Sequence, residues 1–234
     1  MPDFAQRFMD RFSTPLIADA AFRAGAELRV PSDGPQPLDR AQKLAGRVAT
    51  VEANNDLVAI LGALHAAAPG EVLVIANSGY PVGVMGDLVA TEAARRGLGG
   101  FVIDGMARDS TEIIEIGVPT FCRGVIPIGP LKVAASDRGT GRAGVPVGFC
   151  DVTVTPGDWV FGDADGVVFI GEADLPSVFE WAERSWEREE ALAAEIQAGE
   201  ALGDLLGIPA FLEKRATDPG ADFNAHLIEL GRAI

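Results

Sequence analysis

The rhythm of apolar and polar positions along the first half of the chain predicts helices alternating with strands. Thr14 and Pro15 open an apolar-rich run to Arg23 that is closed by Gly25. A capping residue, a proline at the first helical position and a terminal glycine stand where a short helix needs them. After a loop rich in proline, glycine and aspartate (31–37), residues 45–51 read as a strand. Asn55 opens a helix in which Leu57, Ile60, Leu61 and Leu64 recur at helical spacing, up to the stop at Pro69 and Gly70. Residues 71–76 are too few and too continuously apolar for a surface helix and predict a buried strand. A loop over 77–85 follows, then a helix over 87–96 that ends at Gly97. A second buried strand at 101–103 runs into Asp104-Gly105-Met106-Ala107-Arg108-Asp109.

This alternation predicts an α/β fold with a βαβ core and helices packed on the sheet. The second half changes character. Short strands at 119–123, 147–155, 159–162 and 167–170 are separated by Pro156-Gly157-Asp158 and Asp163-Ala164-Asp165-Gly166 turns, which predicts an antiparallel, partly barrel-like layer. Residues 174–199 then form a long helix, acidic on one side, with Phe179, Trp181, Trp186 and Ile196 as expected buried positions. Internal repeats and low-complexity tracts are absent from the sequence.

Composition narrows the function. The formal net charge of −15, from 19 Lys and Arg against 34 Asp and Glu, makes a nucleic-acid backbone an improbable partner. Small anionic substrates can bind only where basic side chains converge. No run of 18 apolar residues or signal-like stretch occurs, so neither a membrane span nor secretion is expected, and a cytoplasmic location is the default. The two cysteines, Cys122 and Cys150, lie in apolar, strand-like runs where a reduced, buried thiol is expected rather than a disulfide.

Several familiar motifs fail on geometry. The glycines at 97, 99 and 100 precede a strand, so they cannot present helix N–H groups to a dinucleotide. The 163–166 segment lacks the spaced carboxylates of a calcium loop and reads as a hairpin turn. His65 and His226 sit in no obvious site loop, and the nucleophile elbow of a serine hydrolase is missing. Two loops hold more promise. Gly86, Asp87, Leu88 and Val89 begin a helix whose first N–H groups and positive dipole end suit a carboxylate, although Asp87 could serve as an ordinary N-cap. Arg108 and Asp109 follow the next buried strand, so in a parallel sheet both loops emerge at one carboxyl edge. Arg108 can clamp a carboxylate and Asp109 can supply a hard oxygen ligand to Mg²⁺ or Mn²⁺. A surface ion pair, or a cap on a helix at Thr111, would use the same two residues.

These residues also carry a resemblance. Gly-Asp-Leu-Val-Ala from Gly86, and Gly-Gly-Phe-Val-Ile-Asp-Gly-Met-Ala-Arg-Asp ending at Asp109, resemble the 4-hydroxy-4-methyl-2-oxoglutarate/4-carboxy-4-hydroxy-2-oxoadipate aldolase family. That family has relatives that decarboxylate oxaloacetate, and it shares its fold with the regulator of ribonuclease E activity, hence the description RraA-like. The likeness continues through Pro119 to Gly124 and Pro156 to Asp158 to the 163–168 segment, covering roughly residues 45–171. It implies a swivelling β/β/α fold with a central mixed sheet, flanking helices and a long C-terminal helix. Residues 1–172 would form the catalytic domain, and residues 173–234 a helical extension at the interface of a homotrimer or homohexamer.

The resemblance further implies a divalent-metal-dependent lyase. Such an enzyme would cleave 4-hydroxy-2-keto acids to pyruvate and a second keto acid, and decarboxylate oxaloacetate, through a pyruvate enolate. The backbone of Gly86, Asp87, Leu88 and Val89 would bind the substrate carboxylate, Arg108 the substrate oxygens, and Asp109 the metal. Asp87, or a glutamate from a neighbouring subunit's long helix, would orient the water that acts as base. Glu187 is the expected glutamate, with Glu183, Glu189 and Glu190 as alternatives on a face that is otherwise solvated. The non-catalytic ribonuclease regulators keep the arginine but lack the acid after it, so Asp109 favours the enzyme branch over a protein-binding regulator. A methyltransferase is disfavoured because no glycine-rich loop follows the first strand.

Overall fold

A computed structural model of the chain describes residues 4–77, 79, 81–130 and 139–231. Helices α1 (Phe4–Arg11) and α2 (Thr14–Ala24) precede the short strands β1 (Leu28–Arg29) and β2 (Gln36–Pro37). The chain continues through β3 (Leu44–Glu52), α3 (Leu57–Ala66), β4 (Val72–Ala76), β5 (Gly83–Met85), α4 (Asp87–Arg96), β6 (Gly100–Ala107), α5 (Ser110–Ile116) and β7 (Thr120–Val125). The second half adds β8 (Arg142–Ala143), β9 (Val147–Phe149), β10 (Val152–Val154), β11 (Trp159–Asp163) and β12 (Gly166–Ile170). Helices α6 (Leu175–Gln197), α7 (Leu202–Leu205), α8 (Ile208–Thr217) and α9 (Phe223–Glu229) follow.

Most described strands share one mixed sheet in the order β1-β12-β11-β3-β4-β6-β7-β2. Its centre, β3, β4, β6 and β7, is parallel, and its flanks are antiparallel. The period of two along β4 explains why that segment is apolar throughout. Leu73 and Ile75 pack with Ile60, Leu64, Ala90, Ala93 and Ile113 beneath α3, α4 and α5. Val72 and Val74 face the other way, into a core with Phe149, Val154, Val160 and Phe169. A central strand covered on both faces has no polar side, and truncating one such leucine to alanine costs roughly 2–5 kcal/mol.

The structure corrects the sequence expectations in five places. Helix α2 is capped by Ser13, whose Oγ accepts from the Leu16 N–H at 3.4 Å, and not by Thr14. Thr14 is instead drawn to Asp163, a tertiary partner 149 residues away. The expected 77–85 loop, of which positions 78 and 80 lie outside the described residues, contains strand β5. The expected single strand over 147–155 is a hairpin, β9 and β10, because Cys150 turns the backbone into the left-handed region at φ 53°. Cys150 is accordingly half-buried in a turn, whereas Cys122 is buried in β7 as expected. Leu61 and Ile196, expected to be buried from their spacing, are 45% and 41% exposed.

The acidic turn at 163–166 closes the β11–β12 hairpin. The Asp163 carboxylate is satisfied internally by Thr14 N–H (2.7 Å), Thr14 Oγ (2.6 Å) and Asp165 N–H (3.0 Å). It therefore pins the start of α2 rather than offering ligands to a cation.

Two compact units divide the chain, Met1–Phe179 and Glu180–Ile234. In the first, Phe179 lies with its ring centroid 4.8, 5.7 and 5.5 Å from those of Phe4, Phe12 and Phe161, so the opening turn of α6 belongs to this core. In the second, Phe211, Phe223 and His226 cluster, and the His226 ring hydrogen-bonds the Leu206 carbonyl across 3.2 Å. No helix among the described residues is long and apolar enough to cross a membrane.

Candidate active site

The site is assembled by β5. This short strand pairs in parallel with the end of β6, placing Met85 opposite Ala107, and the Arg108 N–H donates to the Met85 carbonyl at 2.9 Å. The two loops that follow, Gly86-Asp87 and Arg108-Asp109, consequently leave the same sheet edge side by side. Both also begin helices, α4 and α5, at their amino ends.

Asp109 adopts φ 55° and ψ 43°, a left-handed conformation that aspartate and asparagine tolerate better than most residues. It occupies the N-cap position of α5 but its side chain makes no cap hydrogen bond. The turn instead directs the carboxylate toward the start of α4, with Oδ2 3.4 Å from the Asp87 N–H and 3.2 Å from Arg108 Nε. Both partners of that ion pair stay partly accessible, the Arg108 side chain at 41% and that of Asp109 at 34%. The N-cap of α4 is Gly86, and the Asp87 carboxylate accepts from the Leu88 N–H at 2.7 Å. Two of the amides expected to hold a substrate carboxylate thus already face carboxylates of the chain itself.

Three glycines make room for the arginine and the acid. A Cβ on Gly83 would meet Arg108 Cβ at 2.8 Å, and one on Gly129 would meet Arg108 Nη1 at 2.7 Å. A Cβ on Gly86 would collide with the Asp109 carboxylate. At Gly86, φ is −144°, so the requirement there is for space and not for an unusual backbone.

A cleft of about 550 Å³ opens at this point. It is lined by Leu57 and Leu61 of α3, Gly83, Val84, residues 86–89, Arg108 and residues 127–130. The structure therefore brings Gly86, Asp87, Leu88, Val89 and Arg108 to one surface, with Asp109 touching Arg108 at its edge. Glu187 is exposed on α6 in the second unit. Sequence reasoning missed Gly83, Leu57, Leu61 and the Pro127-Ile128-Gly129-Pro130 run. The last carries a signal, since a Pro-x-Gly-Pro stretch fixes a turn that can wall a cleft.

The donor set bears on the metal. Among the described residues no group of three or more His, Cys, Asp or Glu side chains could hold an ion. Asp109 offers one carboxylate whose Oδ1 meets no protein donor among those residues, with Asp87 nearby. That set fits a hard, strongly hydrated ion such as Mg²⁺ or Mn²⁺, which needs one or two carboxylates and completes its shell with water and substrate. It does not fit a closed structural site.

A second polar cluster lies farther back on β6. The buried Asp104 carboxylate pairs with Arg123 and accepts from the Cys150 N–H at 2.9 Å. Burial, and next the adjacent Asp104 carboxylate, push the Cys150 thiol up to about 11. Burial raises Cys122 as well. Both shifts act against the thiolate, the form in which a cysteine is nucleophilic.

Fold and site together define an α/β protein with a carboxyl-edge cleft that presents one arginine, a helix amino terminus and an adjacent acid. The family model described as RraA-like, Aldolase/RraA, matches residues 14–169, and the chain belongs to that family. The match starts ahead of residue 45, where the motif resemblance begins. A Halalkalibacterium halodurans protein provisionally named 4-hydroxy-4-methyl-2-oxoglutarate aldolase is 34% identical over 182 residues, covering 76% of this chain and 81% of that protein. A Geobacillus kaustophilus structure described as S-adenosylmethionine:2-dimethylmenaquinone methyltransferase is 34% identical, with TM-score 0.59 over 66% of this chain and 93% of the other. Streptomyces coelicolor RraAS2, described as an unusual member of the RNase ES inhibitor RraA protein family, is 26% identical, with TM-score 0.67 over 86% and 98% of the two chains.

Proposed function

We propose that this chain is a divalent-metal-dependent lyase that releases pyruvate from 4-hydroxy-2-keto acids and decarboxylates oxaloacetate. The observation that carries the reading is that Arg108 and the amino end of α4 line one accessible cleft, with Asp109 against Arg108 at its edge. Names of relatives support the lyase class, and the chemistry of the donor set supports the cation. Arg108 binds the substrate oxygens, and its planar, permanently charged fork suits two oxygens at once. The α4 amides at Leu88 and Val89 hold the 1-carboxylate, which must take the place of the Asp87 side chain at the Leu88 N–H. Asp109 and waters hold the cation, which when bound polarises the 2-keto oxygen and offsets charge on the enolate.

In the cleavage the C4 hydroxyl gives its proton to a base, and the O–H electron pair becomes the second bond of the new carbonyl. The C3–C4 bond breaks and its pair moves to the enolate, which is protonated at C3 to give pyruvate. Asp87 orients the water that accepts the first proton, with the Glu187 carboxylate of a neighbouring subunit as a second orienting group. In oxaloacetate the departing fragment is CO₂ and no hydroxyl base is needed.

A pyruvate-release assay with 4-hydroxy-2-keto acids and oxaloacetate, with and without Mg²⁺ or Mn²⁺, tests the reading. Metal-dependent turnover is expected, and Arg108→Lys should reduce it on the order of a hundred- to a thousandfold, as loss of a charge-assisted contact made in the transition state does. Wild-type rates in Arg108→Lys and Asp109→Asn would leave the pair a surface ion pair. The likeness to RraAS2 favours a second reading, a non-catalytic inhibitor of a ribonuclease. Inhibition of a ribonuclease without any pyruvate release would establish it. The methyltransferase name of the Geobacillus neighbour has no counterpart in a glycine-rich cofactor loop here, and absence of S-adenosylmethionine binding would dispose of it.

A further inference from the structure

The cleft is larger than a pyruvyl unit requires, and the part beyond Arg108 is apolar. Leu57 and Leu61 of α3, Leu88 of α4, and Pro127, Ile128 and Pro130 form its wall. Several of these side chains stand open to solvent: Leu61 is 45%, Leu88 77% and Ile128 47% exposed. Leu61 stands on the open side of α3, whose buried face is Ile60, Ala63 and Leu64. Among the described lining residues Arg108 is the cleft's cation, and Asp109 engages it at 3.2 Å. If Arg108 and the α4 amides take the pyruvyl end, a second carboxylate at C4 would lie against leucine and proline, and no second cation stands among the described lining residues. An anion desolvated in that way is strongly disfavoured, whereas an alkyl or aryl group gains from the same burial.

Resting on the lyase reading for the pyruvyl end, we infer that the cleft selects 2-keto acids with an uncharged, apolar group at C4, and that Leu57, Leu61, Leu88 and Ile128 set this preference. The substrate named for the Halalkalibacterium relative carries a carboxylate there, so this chain would differ from that protein's name in the side it presents to C4. Oxaloacetate is a separate case, because its C4 carboxylate leaves as neutral CO₂ and an apolar wall favours that loss of charge.

The test has a binding arm and a turnover arm, both on the full chain with Mg²⁺. Calorimetry compares 2-oxobutanoate, 2-oxopentanoate and 2-oxohexanoate with 2-oxoglutarate. Affinity should rise about fourfold per added methylene, the equivalent of roughly 0.8 kcal/mol per buried CH₂, and 2-oxoglutarate should bind more weakly than 2-oxopentanoate. Pyruvate release should likewise favour 4-hydroxy-2-oxohexanoate over 4-hydroxy-2-oxoglutarate. Leu61→Arg places a cation on the wall at a position exposed enough to carry it, and should shift both preferences toward the dicarboxylate on the order of tenfold, the effect of about 1.4 kcal/mol. Leu61→Ser should lower the preference for apolar chains without creating one for the dicarboxylate.

Tighter binding and faster turnover of the dicarboxylates by the wild type would overturn the inference and leave the lyase reading standing. Apolar-chain preference in calorimetry without pyruvate release from any substrate would support the cleft's selectivity and overturn the lyase reading. If Leu61→Arg changed neither preference, or dissociated an oligomer measured by sedimentation, the wall would be an interface between copies and the inference would fall.

Discussion

Asp109 and Gly86 meet at the centre of the site, and each can be tested by a change that isolates one property. Asparagine tolerates the left-handed backbone of Asp109, so Asp109→Asn should keep the melting temperature while turnover falls sharply and the metal requirement rises. Asp109→Ala removes the same charge but forces a Cβ residue of ordinary preferences into that region, and should lose a further 1–2 kcal/mol or so of stability in a urea titration. A stability loss equal to that of the asparagine variant would show that the turn is not strained. At Gly86 the expected cost is positional. Gly86→Ala pushes a methyl group into the Asp109 carboxylate and toward Arg108 Nε at 3.0 Å. Misplacing a reacting group by about 1 Å can cost on the order of a hundredfold, so kcat/KM for pyruvate release should fall by roughly that factor with little change in the far-ultraviolet circular dichroism.

Individual elements owe their positions to tertiary partners. Helix α2 begins where it does because Asp163, 7% exposed, takes two hydrogen bonds from Thr14. Thr14→Val keeps the shape of the side chain but removes the hydroxyl donor from a nearly buried carboxylate. Leaving such a group short of a partner should destabilise the protein by about 1–3 kcal/mol in denaturant unfolding, with unaltered pyruvate release because the Thr14–Asp163 pair lies outside the cleft. Strand β5 is the other such element. Its Gly83 N–H donates to the Ile128 carbonyl at 2.7 Å, so the strand, the cleft wall and the Arg108 channel depend on one another.

At the scale of the whole molecule the proposed cation should serve activity and not folding. One carboxylate with waters binds Mg²⁺ weakly, so chelation should abolish pyruvate release while the thermal unfolding curve stays in place. Unfolding on addition of EDTA, or unchanged turnover, would refute the site. Assembly is the second expectation. Asp109 has few protein ligands around it, and Glu187 is exposed on the long α6 helix, so the working unit is proposed to be a homotrimer or a pair of stacked trimers in which that helix reaches a neighbour. Sedimentation should show this assembly, and a fully active monomer would exclude it.

The sequence by itself determined the parts whose cause is local or periodic. Continuous apolar runs announced β4 and β6 because strands covered on both faces have no polar side. Gly25 and Gly97 marked helix ends because each takes a left-handed conformation there. The motif around Gly86 and Arg108-Asp109 placed the candidate residues and the family, since strand-to-loop transitions in a parallel sheet share one edge. Only the tertiary structure decided how those residues meet. Strand β5 is three residues long and exists by pairing with the end of β6, a partner no local pattern reveals. The Cys150 turn is fixed by Asp104 from another strand, and the start of α2 by a carboxylate across the core that holds Thr14. Leu61 carries the spacing of a buried helix position yet opens onto the cleft, because helical periodicity gives the face of a residue but not what stands opposite it.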